Sequence, residues 1–180
     1  MPRAAWTGRL PEAVLHGVVL GLSCLLSYEL VDHLLSRVYS LSRSDDVLGG
    51  MWAVIATAFV YRTGRQQTMS AALTRMAATT LAMVLCLAYL LVFPFHAWGL
   101  LLLIGLGTAV MIAVGRSDDV ITTAVTVAVV LVVADLSPHD AWEQPVLRLV
   151  DTAVGVAVGL AASWLGFHLG AHLARPGEDR

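Results

Sequence analysis

Six apolar stretches follow one another along this chain, and only short polar connections separate them. A transmembrane helix needs about 20 mostly apolar residues, and the stretches come near that length at positions 13–35, 47–61, 73–93, 98–114, 120–136 and 146–173. Only 13% of the residues are charged, compared with about 25% in an ordinary soluble domain. The sequence therefore predicts an all-α, polytopic membrane protein with six transmembrane helices, and it leaves no stretch for a soluble domain.

The arginines predict how these helices are oriented, because all eleven basic residues are arginine. With six spans, the side of the membrane that holds both termini carries eight of them: Arg3, Arg9, Arg62, Arg65, Arg75, Arg116, Arg175 and Arg180. The opposite side holds Arg37, Arg43 and Arg148. Since cytoplasmic loops are enriched in basic residues, we expect both termini to be cytoplasmic and the protein to lie in the inner (plasma) membrane. The net charge of -2 gives no indication of nucleic-acid binding.

The first apolar stretch follows two arginines, as the apolar core of a signal peptide does. However, it runs on through Tyr28, Glu29 and Asp32 without a small-residue cleavage site. We therefore expect a retained first helix.

A pentapeptide occurs twice in the chain. Arg-Ser-Asp-Asp-Val at 43–47 returns at 116–120, a shift of 73 positions, and the same shift places Arg75 on Arg148 and Thr79 on Thr152. Three helices in each half, an odd number, would make the second half cross the membrane in the opposite sense, as in the inverted repeats of many transporters. We expect one transmembrane domain over 1–180, with repeats at about 10–93 and 94–174 and a short cytoplasmic tail at 175–180.

The two repeated arginines are the strongest candidates for a ligand site. Each is followed four residues later by a threonine on the same helical face, and after Arg148 that face continues through Asp151, Thr152 and Gly155. A charged side chain at membrane depth costs about 2.5–3.5 kcal/mol or more and often marks an ion or substrate path. The alternatives are an arginine that extends to the lipid headgroups and an Arg148 paired with Asp151 for structure alone.

The other acidic residues each allow two interpretations. Glu29 and Asp32, near the outer end of the first helix, either reach the interface or, if buried, join Asp151 as groups that couple transport to protons. Aspartates in the first turn of a helix complement its positive end, but they can also line an acidic vestibule. Both interpretations apply to the four aspartates of the pentapeptides: Asp45, Asp46, Asp118 and Asp119.

The sequence shows no pattern of residues typical of an enzyme. Cys24 and Cys86 lie inside apolar stretches, as small core residues do. His168 and His172 have a spacing that suits a metal on one helix, but no third ligand is close in sequence. No phosphate-binding loop or HExxH motif is present. We expect no enzymatic activity, no cofactor and no metal.

Three segments resemble a known family of transporters. Residues 49–58 resemble its second helix, and the segments from Arg75 to Thr79 and from Arg148 to Gly155 resemble its Arg-x-x-x-Thr-x-x-Gly signature. On these residues the chain, over about 11–174, resembles the fusaric acid resistance family of aromatic acid exporters. The membrane fold of that family is similar to that of the plant aluminium-activated malate transporters.

The resemblance implies six-helix units that work in pairs and move organic anions, notably aromatic carboxylates, out of the cell. Many members also carry a second membrane half and a large cytosolic region, and a homodimer would supply the second half. Ala82 stands where the first copy of the motif would have its glycine, so the two copies need not have equal roles. By the motif, the substrate-binding residues are Arg148, Thr152 and Gly155, with Arg75 and Thr79 as their counterparts.

Three functions follow from these patterns. We favour export of small organic anions by a homodimer in the lipid bilayer. A passive anion channel is the second, and a structural membrane protein that transports nothing is the third.

Overall fold

The computed structural model describes residues 10–35, 37, 42–62, 65–136 and 141–173. These residues form six α-helices and contain no β-strand. The helices are α1 (Leu10–Glu29), α2 (Arg43–Val60), α3 (Arg65–Leu90), α4 (Ala97–Ala113), α5 (Val120–Leu136) and α6 (Glu143–Leu173). A π-helical turn, Leu30–Leu35, extends α1, and a 3-10 turn, Ser117–Asp119, precedes α5. Each predicted apolar stretch lies on one helix, which confirms the all-helical prediction.

Four helices in the described part of the chain are long and apolar enough to cross a membrane. They provide the candidate spans Ala13–His33, Gln66–Leu90, Ser117–Leu136 and Glu143–Leu169. Helix α4 is apolar but has only 17 residues, and α2 carries Arg43, Asp45 and Asp46 in its first turn. The six spans and the inverted repeat therefore remain predictions.

The surface of this protein is more apolar, and its interior more polar, than in a typical water-soluble protein. Large apolar side chains lie on the surface of the helices, with Leu101 80% and Ile121 76% exposed, whereas Thr57, Thr79 and Thr123 are completely buried. A monomeric soluble protein rarely exposes large contiguous apolar patches, whereas a hydrocarbon environment favours such a surface and requires polar groups to be satisfied inside. The protein is therefore a multi-pass membrane protein.

The described residues form two compact units. The first unit contains those up to Ala72 and those from Val154 onwards, and the second contains those of Leu73–Ala153.

Small residues set the helix spacing in the first unit, where α1 packs along α2. The ring of Tyr28 lies against Gly50, where a Cβ atom would come within 2.7 Å of it. Likewise, a Cβ atom on Gly159 of α6 would lie 3.1 Å from Val60 Cβ of α2. Close approach of this kind is how small residues associate helices in membranes.

The core of the second unit is made by α3, α4 and α5. Its buried members are Ala82, Met83, Cys86 and Tyr89 of α3, Leu103 of α4, and Val127, Val130 and Leu131 of α5. A Cβ atom on Gly107 of α4 would come within 3.0 Å of Thr123 and 3.6 Å of Leu85. The three helices therefore meet closely at this glycine.

Candidate functional site

A buried ion pair lies near the start of α6. Arg148 Nη1 is 3.0 Å from Asp151 Oδ2, and only 2% and 4% of the two side chains is exposed. Thr152 donates its hydroxyl to the Arg148 carbonyl at 2.8 Å and is also buried. The three residues share one enclosed face of α6, as the spacing of three and four residues predicts.

Arg75 and Thr79 form the matching face of α3, and both are buried. The face continues into Ala82 and Cys86 of the second unit's core. Thr79 Oγ1 has no hydrogen-bond partner within the part of the chain that the structure describes. Protein therefore encloses both arginines of the repeated motif, which argues against side chains extended to lipid headgroups.

The structure adds polar residues that the sequence patterns did not single out. Gln144 is completely buried, and it stands four residues before Arg148, so the helical period alone places it on the same face. Thr123 and Thr126 are buried on α5, and Thr123 donates its hydroxyl to the Asp119 carbonyl at 3.1 Å. A stripe of polar residues on an otherwise apolar helix is the signal that identifies them.

Gly155 belongs to the first unit and acts there as a packing residue. Its carbonyl accepts a hydrogen bond of 2.9 Å from the Thr57 hydroxyl of α2. A Cβ atom at this position would meet the carbonyl oxygen of Ala53 and would lie 2.7 Å from Ala56 Cβ. The glycine lets the two helices approach closely, and its role as a substrate ligand remains a prediction.

Glu29 and Asp32 lie in the first unit and differ in their surroundings. Asp32, in the π-helical turn, is buried and accepts a hydrogen bond of 2.8 Å from Arg43 Nη1 at the start of α2. Glu29 is 48% exposed and lies 3.1 Å from His33 Nε2. The Asp32 contact ties the end of α1 to the first residue of the first pentapeptide.

The two pentapeptides make different contacts. In the first copy the N-cap of α2 is Ser42, which precedes the pentapeptide. Ser42 Oγ accepts a hydrogen bond from the Asp45 backbone N–H at 3.1 Å, and it donates one to Asp45 Oδ2 at 2.7 Å. In the second copy Arg116 Nε donates to Asp119 Oδ2 at 2.7 Å. Asp46 is half-buried and Asp118 is exposed. Asp45 thus completes the cap of α2, while Asp119 forms an ion pair beside α5.

The comparison with family profiles identifies the chain. The profile described as fusaric acid resistance protein-like matches residues 33–162 of the 180. The chain belongs to the fusaric acid resistance protein-like family. No curated protein and no solved structure matches the chain, so the likeness to the plant malate transporters remains a prediction.

Membership of the fusaric acid resistance protein-like family makes the chain a membrane transporter in the broad sense. Members of this family are transporters rather than enzymes. The matched region contains both buried arginines and Gly155, whereas Glu29 and Asp32 lie just before it. The profile match therefore covers the predicted arginine site but not the predicted proton-coupling residues of α1.

The side chains described in this family member form no group of three histidine, cysteine or acidic residues that could hold a metal ion. His168 lies against Trp164, with ring centroids 4.3 Å apart, and the side chain of His172 lies outside the described residues.

Replacing Ser42 with alanine should lower the stability of α2 more than replacing Ser44. Loss of a side-chain N-cap costs about 1 kcal/mol, and Ser42 makes that cap. Ser44, two residues later in the first turn, is exposed and serves as the matched control. Thermal unfolding in detergent, followed by the helical circular dichroism signal, measures the difference. Equal melting temperatures for the two variants would contradict the assignment of the cap.

Proposed function

We propose that this protein exports small organic anions, most readily aromatic carboxylic acids, and that it works as a homodimer. Each subunit would cross the inner membrane six times as two inverted three-helix repeats, with both termini in the cytoplasm. The observation that carries the proposal is the burial of two arginines, Arg75 and Arg148, in two candidate membrane spans.

The charges in these two spans suit a monovalent anion. Of the four charged residues in the two spans, the three that are buried, Arg75, Arg148 and Asp151, sum to one positive charge when ionised, whereas Glu143 lies half-buried at the end of its span. A buried charge is expensive unless a counter-charge or hydrogen bonds accompany it. A carboxylate bound beside either arginine would add a counter-charge and hydrogen-bond acceptors, and the Thr79 hydroxyl, which has no hydrogen-bond partner among the described residues, offers a further donor on α3.

Proton coupling is a further part of the proposal. Asp151 is the best-placed acid because it lies beside Arg148. Protonation would remove its charge and leave the guanidinium group to a substrate carboxylate. Asp32 and Glu29 are weaker candidates, since the side chains that they contact, Arg43 and His33, lie at the start of α2 and the end of α1.

Flux measurements in liposomes test the proposal. Purified protein should move a radiolabelled aromatic acid such as benzoate, and Arg148→Ala should lower its affinity about 10- to 100-fold, since a hydrogen bond to a charged group contributes about 1.5–3 kcal/mol. Arg37→Ala, at an exposed arginine outside the helices, is the matched control.

Unchanged flux in Arg148→Ala would remove the arginine from the substrate path. Single-channel currents down a gradient would indicate the passive channel. Slow flux that depends on a proton gradient would instead indicate the exporter. Absence of flux for every anion in a protein that remains folded would support a structural role.

A further inference from the structure

A cleft of about 280 Å³ lies in the first unit, between the beginning of α3 and the second half of α6. Its walls are Thr68 and Met69 of α3 and Leu160, Ala161, Ser163 and Trp164 of α6. Thr68 stands close to the start of the span Gln66–Leu90, and Trp164 stands close to the end of Glu143–Leu169. The cleft is therefore near one boundary of the membrane, where amphipathic molecules collect.

The floor of the cleft is polar and ordered. The hydroxyls of Thr68 and Ser163 lie 2.6 Å apart, and Ser163 donates to the Arg62 carbonyl at 2.6 Å. Both hydroxyl-bearing residues are buried. These contacts hold the residue Arg62, just beyond the end of α2, against α6, so the cleft has a fixed base.

The rim of the cleft is apolar and open. Met69 is 52% and Trp164 56% exposed, and the third of these lining residues, Ala161, has only a methyl group. A tryptophan at a membrane boundary is common, but here its ring forms the wall of a cleft. Aromatic rings and thioethers are both favourable partners for another aromatic ring.

The volume of the cleft and the charge near it limit which ligands the cleft can bind. An engineered cavity of about 150 Å³ holds one benzene molecule, so about 280 Å³ accommodates a single ring with a small polar substituent. Arg62 does not line the cleft, but its carbonyl accepts the Ser163 hydroxyl, and its exposed side chain donates through Nη1 to the Tyr61 carbonyl at 2.8 Å, which brings a positive charge to the neighbourhood of the polar base. The shape matches an aromatic carboxylate whose ring lies among apolar groups and whose charge points to the membrane surface.

We propose that this cleft binds the ring of an aromatic carboxylate that reaches the protein through the membrane interface. The proposal rests on the proposed function for its substrate class, but it concerns residues separate from the arginine motif. The cleft would collect the acid from the bilayer before transport. A phospholipid acyl chain is the competing occupant, because it is apolar and always present.

Binding of benzoate to the full chain in phosphatidylcholine nanodiscs tests the proposal. The measurement uses equilibrium dialysis in a background that carries both Arg148→Leu and Asp151→Leu, so that the arginine site does not contribute and no unpaired charge of the pair stays buried. We expect saturable binding, and we expect Ala161→Phe to weaken it about 10- to 100-fold, the factor for burial of one aromatic ring. Met69→Trp, which fills the cleft from the opposite wall, should act in the same direction.

The control is Ala157→Phe. Ala157 is exposed one helical turn before Ala161 and does not line the cleft, so this variant should bind benzoate as the parent does. Equal binding by the parent and by both filled variants, Ala161→Phe and Met69→Trp, would overturn the proposal.

Lipids with brominated acyl chains separate the two occupants, because bromine quenches tryptophan fluorescence on contact. The quenching that is lost in the Trp164→Phe variant is the quenching of Trp164, and it therefore reports on the cleft. If benzoate enters, it should relieve this quenching in the parent but not in Ala161→Phe. Quenching that benzoate leaves unchanged would assign the cleft to lipid and overturn the proposal.

The two proposals can fail separately. If the parent transports benzoate and the variant with Arg148→Leu and Asp151→Leu does not, while Ala161→Phe binds benzoate normally, the cleft is excluded and the transport function stands. If Ala161→Phe loses binding while Arg148→Ala transports normally, the arginine site is excluded and the cleft stands.

Discussion

Arg148→Ala should destabilise the second unit strongly, and Arg148→Leu combined with Asp151→Leu should restore most of that loss. The alanine variant removes the guanidinium group 3.0 Å from the Asp151 carboxylate. Removal of one member of a buried ion pair costs about 3–5 kcal/mol, because the other charge stays buried, whereas replacement of both by apolar residues is often neutral.

Cys86 provides a reporter for this comparison. Its thiol is completely buried in the second unit's core, and in a Cys24→Ala background a thiol-reactive dye records its exposure as the protein is heated. The doubly substituted protein should melt near the parent temperature and should still fail to transport. Normal flux in that stable variant would show that the pair has a structural role only. A melting temperature as low as that of Arg148→Ala would contradict the ion-pair argument itself.

Gly155→Ala should destabilise the contact between α2 and α6 although alanine favours helices. The added methyl group would meet the Ala53 carbonyl oxygen and would lie 2.7 Å from Ala56 Cβ. Overpacking of this kind costs about 1–3 kcal/mol, more than the 0.8–1.0 kcal/mol or so by which alanine exceeds glycine in helix propensity. Loss of close approach would also strain the hydrogen bond from Thr57 to the Gly155 carbonyl.

Two other helical glycines supply the control. At Gly21 of α1 and Gly105 of α4, a Cβ atom would have no neighbouring atom within 4 Å, so alanine there should be neutral or stabilising by up to about 1 kcal/mol. Gly155→Ala should therefore lower the melting temperature, whereas Gly21→Ala and Gly105→Ala should leave it unchanged or raise it. If Gly155→Ala also melts at or above the parent temperature, the packing role is wrong. Flux by that variant below its melting temperature separates packing from substrate binding.

Periodicity and apolar length already determine the helical architecture. All six predicted stretches fall on the six described helices, because a chain in hydrocarbon must satisfy its backbone hydrogen bonds within each segment. The repeated spacing of Arg75 with Thr79 and of Arg148 with Thr152 also predicts which faces are buried, and the structure encloses all four residues. The same spacing extends to Gln144, which stands four residues before Arg148 and is buried on the same face.

The number of spans depends on more than composition, for a physical reason. Helix α2 carries charges in its first turn, and α4 has only 17 residues. Such helices cross a bilayer only where neighbouring helices cover the charges or make up for the short length. Apolar length measures one helix at a time, whereas crossing the bilayer depends on the whole bundle.

Only the tertiary structure decides the partners of each polar residue. The two pentapeptides are identical, yet their arginines have different partners. Arg43 pairs with Asp32 in the π-helical turn that extends α1, whereas Arg116 pairs with Asp119 of its own copy. The sequence likewise could not distinguish Gly155 as a packing residue from Gly155 as a ligand, since both need a small residue. Helical spacing fixes the direction of a side chain, but the neighbour it meets depends on how closely another helix approaches.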